Sequence, residues 1–275
     1  MRLLKQSRDF SQKFYVVTGL LLALCVSSAS ADQLNAAQTD TYEVPFLETN
    51  EIVIDGLFDD WAISEDSLLM GEETWEANGG TWGGEEDLTA ELHVLYDESN
   101  VYFALMVTDD EYVAQAAAPW ENDGVQIAID TSAGEIPPGW PNDTTHFYNF
   151  SIADGWQPEA GPYMGDAELS VRRDDNTMQN LYEWRMPLEI IADAGTTLTP
   201  GMEIAFAIIN NDSDLDAPGQ GGWVGWGSET IVFGKNPEEM QTIVLGGTPT
   251  AVEAESKLTT TWGALKKLSV NGFRR

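Results

Sequence analysis

Residues 87–130 constrain the fold more than any other stretch: DLTAELHVLYDESNVYFALMVTDDEYVAQAAAPWENDGVQIAID. Ala90, Leu92, Val94 and Tyr96 alternate with Glu91, His93 and Leu95, the two-residue period of a strand. Asp97-Glu98-Ser99-Asn100 supplies turn formers, and Val101, Phe103, Leu105 and Val107 then alternate again. The opposite face of that second run, Tyr102, Ala104 and Met106, is also apolar, so the pattern predicts a hairpin at least partly covered on both faces. An acidic corner follows at Thr108-Asp109-Asp110-Glu111. Pro119-Trp120-Glu121-Asn122-Asp123 then leads into a third strand, Val125 to Asp130.

Further short strands are expected at 42–46, 52–54, 146–152, 167–173, 181–186, 202–209, 223–226, 230–233 and 240–245, with turn signals between them. Pro187 to Ile191 reads as a single helical turn. Asn210 to Gly222 and Gly155 to Gly165 read as loops. With no long amphipathic helix and no internal repeat, the expected fold is all-β: a single-domain antiparallel β-sandwich of jelly-roll or immunoglobulin-like type. Its 275 residues suffice to bury a core without covalent staples.

Charge narrows the partners. The chain has 13 basic and 46 acidic residues, a net charge of −33, and between residues 32 and 255 the basic ones are Arg172, Arg173, Arg185 and Lys235. Such a surface repels nucleic acid and anionic lipid and suits cations, neutral ligands or high-salt surroundings. Arg2, Lys5, Arg8 and Lys13 precede an apolar run from Tyr15 to Val26 and an Ala29-Ser30-Ala31 cleavage signal. The chain is therefore expected to be exported (to periplasm, cell surface or medium), with residues 1–31 removed after Ala31. Membrane contact is expected only through this segment, were it left uncleaved. Cleavage would also remove Cys25, the only cysteine, and with it any disulfide or thiolate chemistry. A lead at 32–43, a sandwich at 44–247 and a linker with a basic tail at 248–275 complete the expected organisation.

Four motifs occur in an order that resembles the family 9 carbohydrate-binding modules and their wider β-sandwich relatives. They are Ile54-Asp55-Gly56 with Asp60-Trp61, Leu95-Tyr96-Asp97 through Val107-Thr108-Asp109, Pro119 to Val125, and Ala207 to Asp212 followed by Gly225-Trp226. The resemblance implies a non-catalytic module that binds poly- or oligosaccharide in carbohydrate catabolism, commonly attached to glycoside hydrolases. It also implies that Trp61 packs in the core. Trp120 falls at one stacking tryptophan of the family's site. Gln126 stands where the family has a glutamate, and Tyr148 near its arginine. The second stacking tryptophan lies beyond Val224-Gly225-Trp226, and Trp223 is the available substitute.

Sugar recognition needs flat aromatic faces and bracketing polar groups, and several of the ten tryptophans fall in loops: Trp75, Trp82, Trp120, Trp140, Trp156 and Trp223. Asp212, Asp214 and Asp216 have the D-x-D-x-D spacing of hard oxygen ligands for a structural calcium ion, which the resembling modules bind, and equally the composition of a solvated acidic loop. With so many carboxylates, acidic pairs single out no catalytic centre. His93 reads as a structural strand residue and His146 as the start of a strand. Two alternatives remain beside sugar binding. One is a haem b domain using Met106, Met164, Met178, Met202 or the histidines; the other is a secreted interaction module.

Overall fold

The computed structural model describes residues 34–47, 52–61, 67–114, 118–132, 136–151, 155–160, 168–192 and 195–247. The expected signal segment and basic tail lie outside the described residues. The strands are β1 Leu34–Asn35, β2 Thr41–Val44, β3 Leu68–Met70, β4 Trp75–Ala77, β5 Leu88–Tyr96, β6 Asn100–Asp109 and β7 Gly124–Asp130. They continue with β8 His146–Ser151, β9 Gly155–Ala160, β10 Leu169–Asp174, β11 Gln179–Pro187, β12 Glu203–Asp214, β13 Ala217–Trp226 and β14 Gln241–Leu245. A single turn of helix, α1 Leu188–Ile191, follows β11 as expected.

Two sheets form a β-sandwich. The first runs β1-β3-β5-β6-β11-β10, and the second β2-β14-β12-β7-β8-β9. Strand β12 is the hub of the second sheet. It pairs with β7 along one edge and with β14 and then β13 along the other, and β4 adds to the outside of β13. Most pairs are antiparallel, but β1 with β3 and β2 with β14 are parallel, so both sheets are mixed.

Side-chain alternation fills the space between the sheets. Trp184 and Phe103, opposite one another on β11 and β6, stack at 4.8 Å between ring centres. Phe206 and Phe150 of the second sheet close on this pair at 5.1 Å from Phe103 and 4.9 Å from Trp184. Both outer faces are capped as well, which explains hairpin strands that are apolar on two sides. Trp61, with Ile52, covers Leu95, Tyr102 and Ala104 on the first sheet, in the core position expected of it.

Several segments depart from the sequence reading. Residues 52–54 are not a strand; Val53 N–H donates to Asp60 Oδ2 at 2.7 Å, an irregular path that leaves Ile52 to pack on Trp61. Residues 230–233 lie in turns rather than a strand, because Gly227, Phe233, Gly234 and Lys235 all take positive φ. Conversely, β9 and the first half of β13 form strands where Gly and Pro signalled loops. Pro158 lies on the edge strand β9, where a missing N–H does least harm.

Candidate functional site

Alternation on the second sheet determines which side chains leave the core. Val125, Ile127 and Ile129 of β7 and Ile204, Phe206 and Ile208 of β12 point between the sheets. Gln126 and Ala128, Ile209 and Asn211, and Asn149 and Trp223 take the other face. There Ala128, Phe147, Ala207, Ile209 and Trp223 form a second small core, covered by Ile231 and flanked by Trp140.

Beside this patch lies a cavity of about 400 Å³. Its floor is built from Gln126, Gln220 and Trp223. The amides are held by one acceptor: Gln126 Nε2 donates to Asn211 Oδ1 at 3.1 Å and Gln220 Nε2 to the same oxygen at 2.7 Å. Neither glutamine carbonyl oxygen has a partner among the described residues, so both remain free to accept from a ligand. Asn78 also lines the cavity, its side chain fixed to Gln220 O at 3.1 Å.

The walls are aromatic. Trp120, on a single 3-10 turn entered through Pro119, is 47% exposed, and Phe233 is 73% exposed. These are the exposed large aromatics among the described residues, and both line this cavity. Phe233 rests on Trp223 with ring centres 5.4 Å apart. Its φ of 53° begins a left-handed run through Gly234 and Lys235, an unfavourable path for a bulky residue that turns its ring outward. Lys235 anchors the run. Its ammonium is 2.9 Å from Glu159 Oε1, donates to Ile231 O at 3.1 Å and sits 4.9 Å over the Phe147 ring.

Of the four ligand residues expected from sequence, the fold gathers Trp120, Gln126 and Trp223 around this cavity. Trp223 is only 1% exposed, so it forms floor and offers no stacking face; Phe233 supplies the second aromatic surface. Tyr148 is a correction. It pairs with Ile127 and points into the core at 1% exposure, because the strand period carries its neighbour Asn149, paired with Gln126, to the cavity side. Sequence reasoning missed Phe233 and Lys235, which line the cavity. A strand reading of 230–233 hid the first, though the Gly234 beside it was a turn signal.

Among the described residues the expected metal trio does not form one carboxylate cluster. Asp212 lies on β12 and faces inward, and Asp214 ends that strand, whereas Asp216 is exposed in the turn before β13. The carboxylates that converge with Asp214 are those of Asp87 and Asp110, one oxygen from each lying within 4.8 Å of the others. All three would offer hard oxygen ligands, the donor type that calcium takes. The two histidines lie apart: His93 is on the first sheet beside Glu91 at 3.4 Å, His146 is on the second beside Tyr148, and neither lines the cavity.

Fold and cavity together define a β-sandwich binding module with an aromatic-walled, amide-floored pocket on one outer sheet face. Residues 54–248 match the model of the family described as "Carbohydrate family 9 binding domain-like", and the chain belongs to that family. No curated protein matches the chain. Among solved structures, it is similar to a family 9 carbohydrate-binding module from Caldicellulosiruptor kristjanssonii in complex with cellotriose. The TM-score is 0.61 at 16% identity, over 80% of this chain and 98% of that one. The same organism's module in complex with glucose gives 0.58 at 17% identity, over 78% and 99%. At these identities the likeness concerns the fold.

Proposed function

We propose that this chain is an exported, non-catalytic glycan-binding module, that its ligand lies against Trp120 and Phe233, and that the amides of Gln126 and Gln220 read the ligand's hydroxyls. The observation that carries the reading is the placing of two solvent-exposed aromatics beside one pocket with a polar, hydrogen-bonded floor. Exposed aromatic faces are costly unless a ligand uses them, and the C–H face of a pyranose suits them. Family membership supports the same reading, and the glucose and cellotriose held by its structural relatives make gluco-oligosaccharides the first ligands to test. Glycoside hydrolysis needs two carboxyl groups across the substrate. Among the described residues the pocket lining offers Glu159, which is bound to Lys235. A role in carbohydrate catabolism follows if the module delivers a partner hydrolase to its polymer.

The test is a glycan array followed by titration calorimetry, with parent protein, Trp120→Ala and Phe233→Ala. The expected result is binding of neutral oligosaccharide that weakens about tenfold or more in either variant while the melting temperature holds. Absence of binding to every glycan overturns the reading and leaves a protein-interaction module as the function to pursue.

A further inference from the structure

The side chains around the aromatic-walled pocket leave acceptors open. Gln126 and Gln220 turn their amide nitrogens to Asn211 Oδ1, at 3.1 and 2.7 Å. Flipping either amide would set oxygen against oxygen, so its carbonyl oxygen is the end left without a partner. Asn78 repeats the pattern: its nitrogen donates to Gln220 O at 3.1 Å, and its Oδ1 has no partner among the described residues. Three residues that line one cavity of about 400 Å³ thus each keep an open carbonyl oxygen.

No uncommitted cation stands beside them. Among the described residues Lys235 is the one cation lining the cavity. Its ammonium is taken up by Glu159 Oε1 and Ile231 O and lies over the Phe147 ring. The lining also contains the carboxylate of that pair, and two more acids flank the aromatic walls. Glu121 follows Trp120, and Glu238 accepts from the N–H of Gly139, beside Trp140, at 3.1 Å. An ammonium group suits such surroundings. It brings three donors and no acceptor, and its hydrogen bonds are charge-assisted, about twice as strong as those of a hydroxyl. The exposed face of Trp120 attracts a cation as well. A carboxylate or sulfate meets the same oxygens as repulsion and finds no free counter-charge.

We infer that the pocket selects amino sugars. Its preferred ligand is a glycan of glucosamine type, whose ring lies on Trp120 and whose ammonium is received by the carbonyl oxygens of Gln126, Gln220 and Asn78. Neutral sugars of the same skeleton bind more weakly, and uronates and sulfated sugars are refused. This selectivity rests on the glycan reading of the pocket and narrows it. The net charge of −33 draws any polycation towards the chain, so a pocket preference must outlast screening and must depend on pocket residues.

The experiment is titration calorimetry of the full-length protein with cellotetraose and with the tetramers of glucosamine, N-acetylglucosamine and glucuronic acid. The pH is about 5.5, where the sugar amines are protonated. The salt is about 0.5 M NaCl, which shortens the screening length to about 4 Å and suppresses diffuse binding of cations. The glucosamine tetramer is expected to bind one per chain and about tenfold more tightly than cellotetraose. The N-acetylated tetramer, which has lost the charge, is expected to bind no more tightly than cellotetraose, and the glucuronate tetramer not to bind. Trp120→Ala is expected to weaken every tetramer that binds. Gln220→Lys replaces one open oxygen with a cation at a partly exposed position, and is expected to abolish the preference for glucosamine while changing cellotetraose binding only a few-fold. The selectivity is overturned, with the glycan reading intact, if cellotetraose or the glucuronate tetramer binds as tightly as the glucosamine tetramer. It is also overturned if the glucosamine preference is unchanged in both variants, since the cation then adheres to the acidic surface at large. Failure of all four tetramers to bind the parent would instead sink the glycan reading itself, and this selectivity with it.

Discussion

Lys235 Nζ lies 2.9 Å from Glu159 Oε1, and this ion pair joins the loop that carries Phe233 to the edge strand β9. Both side chains are partly solvated, so the pair contributes at most about 1 kcal/mol to stability. Its weight falls on the pocket. Lys235→Met is expected to leave folding nearly unchanged and to weaken glycan binding several-fold, because the Phe233 loop loses its anchor. Glu159→Gln should do the same, and the double variant should be no worse than either single one. Titration calorimetry on the four proteins checks this; strictly additive losses would mean that the two residues act separately.

Phe233 combines high exposure with a left-handed backbone. Such a conformation costs a non-glycine residue about 1–2 kcal/mol. Phe233→Gly removes that strain together with the aromatic face. The expected outcome is unchanged or slightly raised thermal stability and a loss of glycan affinity of about tenfold. A variant that melts lower and binds as well as the parent would show that the ring serves folding and not recognition.

Glu183 is the buried hub on the outer face of the first sheet. It is fully buried and accepts from Trp61 Nε1 at 2.7 Å, Asp55 N at 2.8 Å and Gly56 N at 2.6 Å. Gly56 needs its positive φ of 77°, and a Cβ there would meet Ser170 Oγ and Arg172 Cγ at 2.9 Å, so the turn presents its N–H groups to the carboxylate by close approach. Glu183→Leu leaves three donors without a partner and is expected to cost about 3–5 kcal/mol, read as a shifted denaturant midpoint. Glu183→Gln, which still accepts, should cost less.

Strand content was legible where burial alternates. Ala90 to Tyr96, Val101 to Val107 and Val125 to Asp130 announce themselves because one side of each must fill the space around Phe103 and Trp184. The pocket was legible only in part. Trp120 was marked by its proline corner and the family motif, and Gln126 by its position six residues on. Phe233 could not be read, since its role depends on a backbone turn that places an apolar residue in solvent. Tyr148 was misplaced by one residue, which in a strand is the difference between pocket and core. The meeting of three carboxylates was hidden for a related reason: Asp87 and Asp110 are far from Asp214 in sequence, and only the meeting of β5, β6 and β12 brings them together.

Asp123 makes stability depend on alkaline pH. It is 1% exposed, and burial, followed by the charge of Asp109, pushes its carboxyl up to about 9 from an ordinary value of 3.8, against the pull of the Val113 N–H. Asp212 adds to the repulsion, while Arg173, Tyr112 and Tyr182 share the neighbourhood. In the folded chain the proton is therefore retained where the unfolded chain has released it. The stabilising contribution is complete below about pH 4, declines as the pH rises and is gone above the folded value of about 9. The melting temperature is expected to fall by several degrees between about pH 6 and 9.5. Asp123→Asn, which cannot lose a proton, should flatten that fall without abolishing it, because Asp109 and Asp212 are also raised by burial. A variant whose profile parallels the parent's would place the alkaline sensitivity elsewhere.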